Sequence, residues 1–488
     1  MKYVLMNQEM QNVDKKTIQE IGIPGLVLME RASQQVAQCV MEMCDKTSRI
    51  LVIAGTGNNG GDALASARIL LEQGYQVDYM MVGSMEKASN DLKCQYGILN
   101  QLGYLVLDDA DFAAYDFLVE GIFGVGLARE VSGIYREVIE RINASAKPVI
   151  AIDIPSGVSG DTGKVLGCAI KASVTVTFGG YKRGHLLYPG KEYCGETKLV
   201  PMGFHKKTVR EFATAFTLEQ EENLMPQRAA YSNKGSYGKV LIIAGNDTMA
   251  GAACFSGEAA YRMGAGLVKI ISDPINRNIL QTKLPECLFG EKEDLESSLS
   301  WCDCILFGPG IGVSQETKEM LELILKKGRK PLLIDADGLN TISRYRMEIN
   351  YPYGVIITPH LMEAARLLQE DIEEVQKDLC RAASRLAKTF HATVILKDAA
   401  TVVAAQGRLF FINQSGNHGM ATGGSGDVLA GMTIALLGAG KSPYDAAVCG
   451  TYLHGKAGDA ARKEKGAYSM IASDILNHIK DVTGGKDE

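Results

Sequence analysis

Short β-branched runs that end in glycine-rich turns alternate with amphipathic helical stretches along most of this chain, in two separate blocks. In the first block, Arg49–Ala54 is an apolar run ending in Gly55-Thr56-Gly57-Asn58-Asn59-Gly60-Gly61-Asp62, and a helical pattern continues through Leu71. Further strands are expected at 76–82, 115–120, 148–153 and 173–178. Ahead of them, Asp14 to Cys44 has helical periodicity broken at Gly22–Gly25, where Ile-Gly-Ile-Pro-Gly opposes helix continuation. Continuous apolar runs alternating with helices predict an α/β fold with a mostly parallel sheet covered on both faces.

The pattern weakens between Lys198 and Tyr237, where Phe204 to Gln227 is polar with little apolar repetition. A domain boundary is expected at about 210–225, giving a first domain over 1–215 and a second over 222–484. The pattern restarts at Gly238–Gly245, with strands expected at 267–271, 304–307, 331–335, 354–358 and 392–396. A hairpin is expected over Thr401–Asn413, turning at Gln406-Gly407. The blocks are not a clear repeat and read as two different α/β domains.

Length and charge narrow the class. At 488 residues the chain is too long for one hydrophobic core. A net charge of −6 gives no broad basic surface, which argues against nucleic-acid binding. Eleven scattered cysteines form no disulfide framework, and the Cys302-x-Cys304 pair lacks zinc-site spacing. The first residues have no basic region followed by an apolar core, and no apolar run approaches a bilayer span. A cytoplasmic protein without a membrane partner is expected, as a homo-oligomer.

A glycine-rich turn between a strand and a helix places backbone N–H groups and a helix N-terminus at the carboxyl edge of a sheet, where anions settle. The 55–62 turn fits neither the dinucleotide fingerprint nor a P-loop, and a tight turn needing positive φ explains its glycines equally well. Two more strand ends add polar groups. Glu120 leads into Gly121-Ile122-Phe123-Gly124-Val125-Gly126-Leu127, and Asp153-Ile154-Pro155-Ser156-Gly157 closes another apolar run. Oxygens from Asn59, Glu120 and Ser156 suit a hard monovalent cation, although separate capping roles at each loop are the plain alternative. NNGGD, GIFGVGL and DIPSG together resemble the N-terminal domain of the NAD(P)HX epimerases, over roughly residues 1–210. The resemblance implies a Rossmann-like domain in which Asn58, Asn59, Gly60, Gly61 and Asp62 bind the hydrated dinucleotide. It assigns the same role to Gly124, Val125, Gly126, Leu127, Ala128, Arg129 and Glu130. Asp153 would lie at the reacting ring as acid/base, and Asn59, Glu120 and Ser156 would hold K+. The family commonly has Asp where this chain has Glu120.

In the second block, Gly419 to Gly431 includes Thr422-Gly423-Gly424-Ser425-Gly426-Asp427, a glycine-rich turn opening a helix with a carboxylate in its first turn. Amides of 423–427 can stabilise a transferring phosphoryl group, with Asp427 placed to accept a proton. A helix-start acid favoured by the dipole is the simpler role. The pattern resembles the ribokinase-like superfamily. With Thr358-Pro359-His360, Lys397-Asp398-Ala399-Ala400-Thr401, Gly308-Pro309-Gly310-Ile311-Gly312 and Gly251-Ala252-Ala253, it is similar to the ADP- or ATP-dependent NAD(P)HX dehydratases over about 225–480. That resemblance implies a second three-layer αβα domain. Lys397, Asp398, Ala399, Ala400, Thr401 and Gly426 would bind the nucleotide with Mg2+. Ala253, Gly312, His360 and Asp427 would contact NADHX or NADPHX. The family often has glycine in place of Asp398, whose charge would sit near the phosphates.

The implied function is metabolite repair: epimerisation of R- and S-NAD(P)HX and dehydration of the S form, with ADP as phosphoryl donor yielding AMP and phosphate. A small-molecule kinase of the vitamin-precursor type is one alternative. A non-catalytic nucleotide- or protein-binding module in the N-terminal domain is another.

Overall fold

The computed structural model describes residues 1–219 and 224–484. The chain divides into two compact units, Lys2–Phe216 and Thr217–Glu488. Residues 220–223, inside the boundary expected at 210–225, lie outside the described residues, as does the first residue of the domain expected at 222–484.

In the first unit six parallel strands lie in the order Gln76–Met81, Arg49–Ala54, Phe117–Gly121, Val149–Ile152, Val174–Phe178, Glu196–Val200. Both faces are covered, and the alternation along one strand shows it. Ile50, Val52 and Ala54 join one core with Leu28, Ala32 and Leu64, whereas Leu51 and Ile53 join another with Val138, Ile139 and Ile142. The chain runs from Arg49–Ala54 to the strand on one side and then crosses to Phe117–Gly121 on the other. That reversal opens a crevice between the carboxyl ends of the two strands, where ligands of open α/β sheets bind.

The expected break at Gly22–Gly25 separates two helices, Asn7–Gln19 and Gly25–Met43; the first begins well before Asp14. The strand expected at 115–120 starts at Phe117, because Asp111 caps a short turn at Phe112–Ala114. Three strands carry no apolar run and escape the pattern: Lys2–Leu5, its two-residue parallel partner Tyr181–Lys182, and the half-buried Glu196–Val200.

The second unit has seven parallel strands in the order Leu288–Gly290, Leu267–Ile271, Lys239–Ile243, Cys304–Phe307, Leu332–Ile334, Val355–Ile357, Thr393–Leu396. The antiparallel hairpin strands Val402–Ala404 and Phe410–Ile412 follow, turning at Gln406-Gly407. Here the order reverses between Lys239–Ile243 and Cys304–Phe307. Helices Ala250–Arg262, Ser425–Gly438 and Pro443–Lys465 pack in one series, and Gln315–Lys327, Asp337–Tyr345, Leu361–Leu368 and Leu379–Thr389 in another. None of the eleven cysteines is in a disulfide, and seven of them are buried, Cys302 and Cys304 included. No helix among the described residues is long and apolar enough to cross a membrane.

We propose that each unit folds without the other, since each carries its own sheet and core. A fragment ending at Phe216 should then unfold in one cooperative thermal transition with a dispersed amide NMR spectrum. A non-cooperative melt would show that the boundary is not a folding boundary.

Candidate functional site

Close backbone approach, rather than positive φ, explains the first glycine-rich turn. Gly55 and Gly60 have ordinary φ, but a Cβ on Gly55 would collide with the Ile122 carbonyl, and one on Gly60 with the Gly55 carbonyl. The start of helix Asn58–Glu72 is thereby pressed against the loop after Phe117–Gly121, at the reversal in strand order. Asn58 is exposed at the first helical position and Asn59 is buried, its Nδ2 donating to the Ile152 carbonyl (3.1 Å). That bond stitches the helix start to the strand that delivers Asp153. Residues Gly124 to Glu130 form a half-buried to exposed loop above the crevice, pinned where the Val131 amide donates to the Leu166 carbonyl.

Glu120 is wholly buried, and its carboxylate accepts from the Ser156 amide (2.9 Å), the Ser156 hydroxyl (2.6 Å) and the Ile122 amide (3.2 Å). Burial pushes the carboxyl up to about 7, against the pull of those donors. Among the described residues no basic side chain meets it. Glu120 and Ser156 are thus bonded to each other and, through the Phe123 amide donating to the Ser156 hydroxyl (2.8 Å), to the loop after Phe117–Gly121, where the Asn59 side chain lies beside Gly124. No cluster of three or more His, Cys, Asp or Glu suited to a metal occurs among the described residues, so an ion here would rest mainly on neutral oxygens.

Asp153 stands in the left-handed region, with φ 67°. Its amide donates to the Val176 carbonyl (2.8 Å) and its carbonyl accepts from His185 Nε2 (2.9 Å). His185 Nδ1 accepts from the Lys182 amide (3.1 Å), which assigns the proton to Nε2, and burial lowers the imidazole to about 3. The Asp153 carboxylate is ion-paired with Lys182, a fully buried side chain, and accepts from the Thr177 hydroxyl (3.2 Å). Such strain persists only where surrounding bonds over-determine the backbone, and here they do. Asp62, three residues after Asn59, has its carboxyl pushed well above the ordinary range by burial and by the charges of Asp153, Asp14 and Asp91. Asp14 is pushed up to about 6 by burial and the Asp153 charge. Lys182, Thr177, His185 and Asp14 were not legible as site residues: Lys182 ends a two-residue strand, and Asp14 is one of several polar residues on an amphipathic helix.

In the second unit Gly424, with φ 90°, turns the chain into helix Ser425–Gly438, and Asp427 is its third residue. Gly431 lets this helix lie against Ala250–Arg262, since a Cβ there would strike the Ser256 carbonyl; the Ser256 hydroxyl donates to the Asp427 carbonyl (3.2 Å). Among the described residues, the Gly426 and Asp427 amides donate to no protein acceptor, leaving them aimed outward from the helix start. Burial and the charge of Asp335 push the Asp427 carboxyl up to about 7, with Lys397 opposing.

Lys397 Nζ is bonded to buried Asp335 (2.8 Å) and lies under the turn, 3.7 Å from where a Gly426 Cβ would stand. Burial works against its charge, but Asp335 and Glu363 hold it above its ordinary value. The Lys397 amide donates to the Pro359 carbonyl (2.8 Å), which sets the strand end beside His360. His360 caps helix Leu361–Leu368 through Nδ1, its amide donating to Glu363 (2.8 Å). Gly312 donates to Asp337 (2.8 Å). Gly312, His360, Lys397, Gly426 and Asp427 therefore border one carboxyl edge. Asp398 and Ala399 are exposed and Thr401 is half-buried. Ala400 and Ala253 are buried, and Ala253 packs against Gly245. Asp335 and Asp337 were missed, although Asp335-Ala336-Asp337-Gly338 follows a strand just as the recognised turns do.

Residues 25–184 match the family model for the YjeF-related protein N-terminus, and residues 240–481 match that for NAD(P)H-hydrate dehydratase. The chain is similar to a ribokinase-like superfamily protein from Enterococcus faecalis, with TM-score 0.51 and 31% identity, over 55% of this chain and 96% of that one. It is 34% identical to a bifunctional NAD(P)H-hydrate repair enzyme of Thermofilum pendens, covering 96% of this chain and 94% of the relative. It is also 33% identical to the protein of that name in Escherichia coli, over 96% and 92% of the two chains. With both domain types present in one chain, and relatives alike along its whole length, this protein belongs to the family of bifunctional NAD(P)H-hydrate repair enzymes.

Proposed function

We propose that the first unit interconverts the R and S forms of NAD(P)HX and that the second dehydrates the S form at the expense of ADP or ATP. The observation that carries the reading is Asp427, a carboxyl with an elevated proton affinity beside two outward-facing amides and the Lys397–Asp335 pair. Hydroxide is a poor leaving group from C6 of the hydrated ring. Asp427 takes the proton of that hydroxyl as it attacks the terminal phosphoryl group of the nucleotide. The amides of 423–427 receive the charge that develops on the phosphoryl oxygens. The phosphate then leaves C6 with the bonding electrons, driven by the ring nitrogen's lone pair, and loss of a C5 proton to water forms the C5–C6 double bond and returns the pair to nitrogen. Lys397, Asp398, Ala399, Ala400, Thr401 and Gly426 would hold the donor nucleotide, and Ala253, Gly312 and His360 the dinucleotide. Mg2+ on the donor phosphates supplies charge neutralisation when bound. A vitamin-precursor kinase would use the same helix start but leaves the first unit without a role.

In the first unit Asn58 to Asp62 and Gly124 to Glu130 would hold the dinucleotide, with Asp153 at the reacting ring. Asn59, Glu120 and Ser156 fit K+. A buried carboxylate with three donors and no basic partner calls for a compensating cation, and one formal charge suits a monovalent ion. Glu120 reaches Ser156 through a longer side chain than the family's usual Asp, and still supplies the one carboxylate.

Three outcomes follow from these assignments. Asp427→Asn should lower dehydration of S-NADHX by at least about 100-fold while calorimetric nucleotide binding persists; near-normal turnover would remove Asp427 from the mechanism.

Because the base must be ionised and its carboxyl is raised to about 7, the dehydration rate should climb with pH through that value. The sign for stability is opposite: a raised carboxyl stabilises the fold at low pH and loses that contribution as pH rises through about 7. Asp427→Asn should therefore raise Tm above pH 7 by at least about 2 °C. A pH-independent rate or an unchanged Tm would contradict the placement of this group.

Glu120→Gln should weaken K+ binding, read by the K+ dependence of the first unit's melting, together with epimerisation. Dehydration of the S epimer should be retained. Epimerisation indifferent both to this change and to removal of K+ would leave the ion without a role.

A further inference from the structure

Two carboxyl groups at the first site have opposite surroundings. Asp153 is bonded to the ammonium of Lys182, which is itself fixed by the Thr177 hydroxyl (2.9 Å) and the Phe178 carbonyl (3.0 Å). Lys182 is fully buried, and its strand pairs with Val4 and Leu5, so the ammonium has no freedom to swing away. Asp62 receives no hydrogen bond and no ion pair at its carboxyl among the described residues. It lies on the helix whose second residue, Asn59, is tied to the carbonyl just before Asp153. The charged and titratable groups acting on this pair from the surrounding elements are Asp14 on Asn7–Gln19, Asp91 on Asn90–Gln101, and Lys182 and His185 beyond Val174–Phe178. Lys182 is the one cation among them, and it is spent on Asp153. One carboxyl is thus charge-paired and the other is surrounded only by negative charge. Environments that separate two carboxyls in this way assign acid and base roles.

We propose that epimerisation uses this split pair, Asp62 delivering a proton to the departing C6 hydroxyl and Asp153, positioned by Lys182, removing one from the water that returns; this rests on the epimerase reading of the unit. The Asp62 O–H bond breaks and its proton goes to the C6 oxygen. The C6–O bond breaks with its electron pair on oxygen, which leaves as water, while the ring nitrogen's lone pair forms a second bond to C6. Water adds to the opposite face of C6 and loses a proton to the Asp153 carboxylate, and the C–N electron pair returns to nitrogen. One proton is delivered and one removed, and no electron is gained or lost. The enzyme then holds the proton on Asp153, ready for the reverse interconversion. Asp14 is also raised, but Lys182 offsets it, and it lies outside the glycine-rich turn that meets the ligand.

The test uses the full-length protein with purified R-NADPHX, following conversion to the S form and incorporation of 18O from labelled water at C6. Asp62→Asn keeps the shape of the neutral group without its proton. It should cut epimerisation and 18O incorporation together by at least about 100-fold. Lys182→Met should move the acid limb of the epimerisation pH profile upward by about one unit, and Lys182→Arg should restore it. Near-normal epimerisation in Asp62→Asn, or loss confined to Asp14→Asn, overturns the proposal, as does epimerisation without 18O incorporation. A Lys182→Met profile that keeps its acid limb overturns the positioning role. A wild-type protein that fails to interconvert the epimers overturns the epimerase reading itself, a different result from an active wild type with an active Asp62→Asn.

Discussion

A carboxylate removed from water is strongly destabilising unless a counter-charge or several N–H donors meet it. This chain buries carboxyl groups at the carboxyl edges of two parallel sheets, and their chemistry depends on which of those partners each one finds. Asp153 and Asp335 meet buried lysines. Glu120 meets two amides and a hydroxyl but no cation from the protein. Asp62 and Asp427 meet neither in full, so they retain a proton to higher pH than an ordinary aspartate. These sheet edges therefore hold lysine-paired carboxyls, one met by neutral donors, and two whose proton affinity is raised by burial and neighbouring negative charge.

Backbone packing puts the groups there. Gly55, Gly60 and Gly121 let the first helix start touch the neighbouring loop, and Gly431 lets the Asp427 helix settle on Ala250–Arg262. Any side chain at these positions would push a helix N-terminus, with its outward amides, away from the crevice. The first candidate site lies at a reversal in strand order lined by glycine, whereas in the second unit His360 and Lys397 stand at the ends of strands beyond the reversal and glycine acts in the helix packing beneath Asp427.

Much of this was legible from the residues. The long apolar strands stand out because both sheet faces are buried, which leaves uninterrupted runs such as Ile50 to Ala54. Motifs at strand ends stand out because glycine, asparagine and aspartate after such a run have few structural uses. What escaped was non-local or short. Lys182 becomes part of the site through a two-residue strand and a bond to Asp153 from 29 positions away. Asp335 sits in a turn of the recognised type but with a single glycine, at Gly338. The half-exposed strand Glu196–Val200 has the composition of a loop. Positive φ was the wrong explanation for the first glycine turn, because sequence alone does not show which backbone lies across from it.

The central claim is that two separate sites in one chain divide the repair, with the S epimer passing between them. It is tested most directly by following NADH recovery from an equal mixture of R- and S-NADHX with ADP present. The full-length Asp153→Asn protein, the Asp427→Asn protein and an equimolar mixture of the two are compared. The account predicts that Asp153→Asn recovers the S share and then slows to the spontaneous rate of epimerisation, that Asp427→Asn recovers almost none, and that the mixture recovers all of it. A mixture that stalls where Asp153→Asn alone stalls would contradict it.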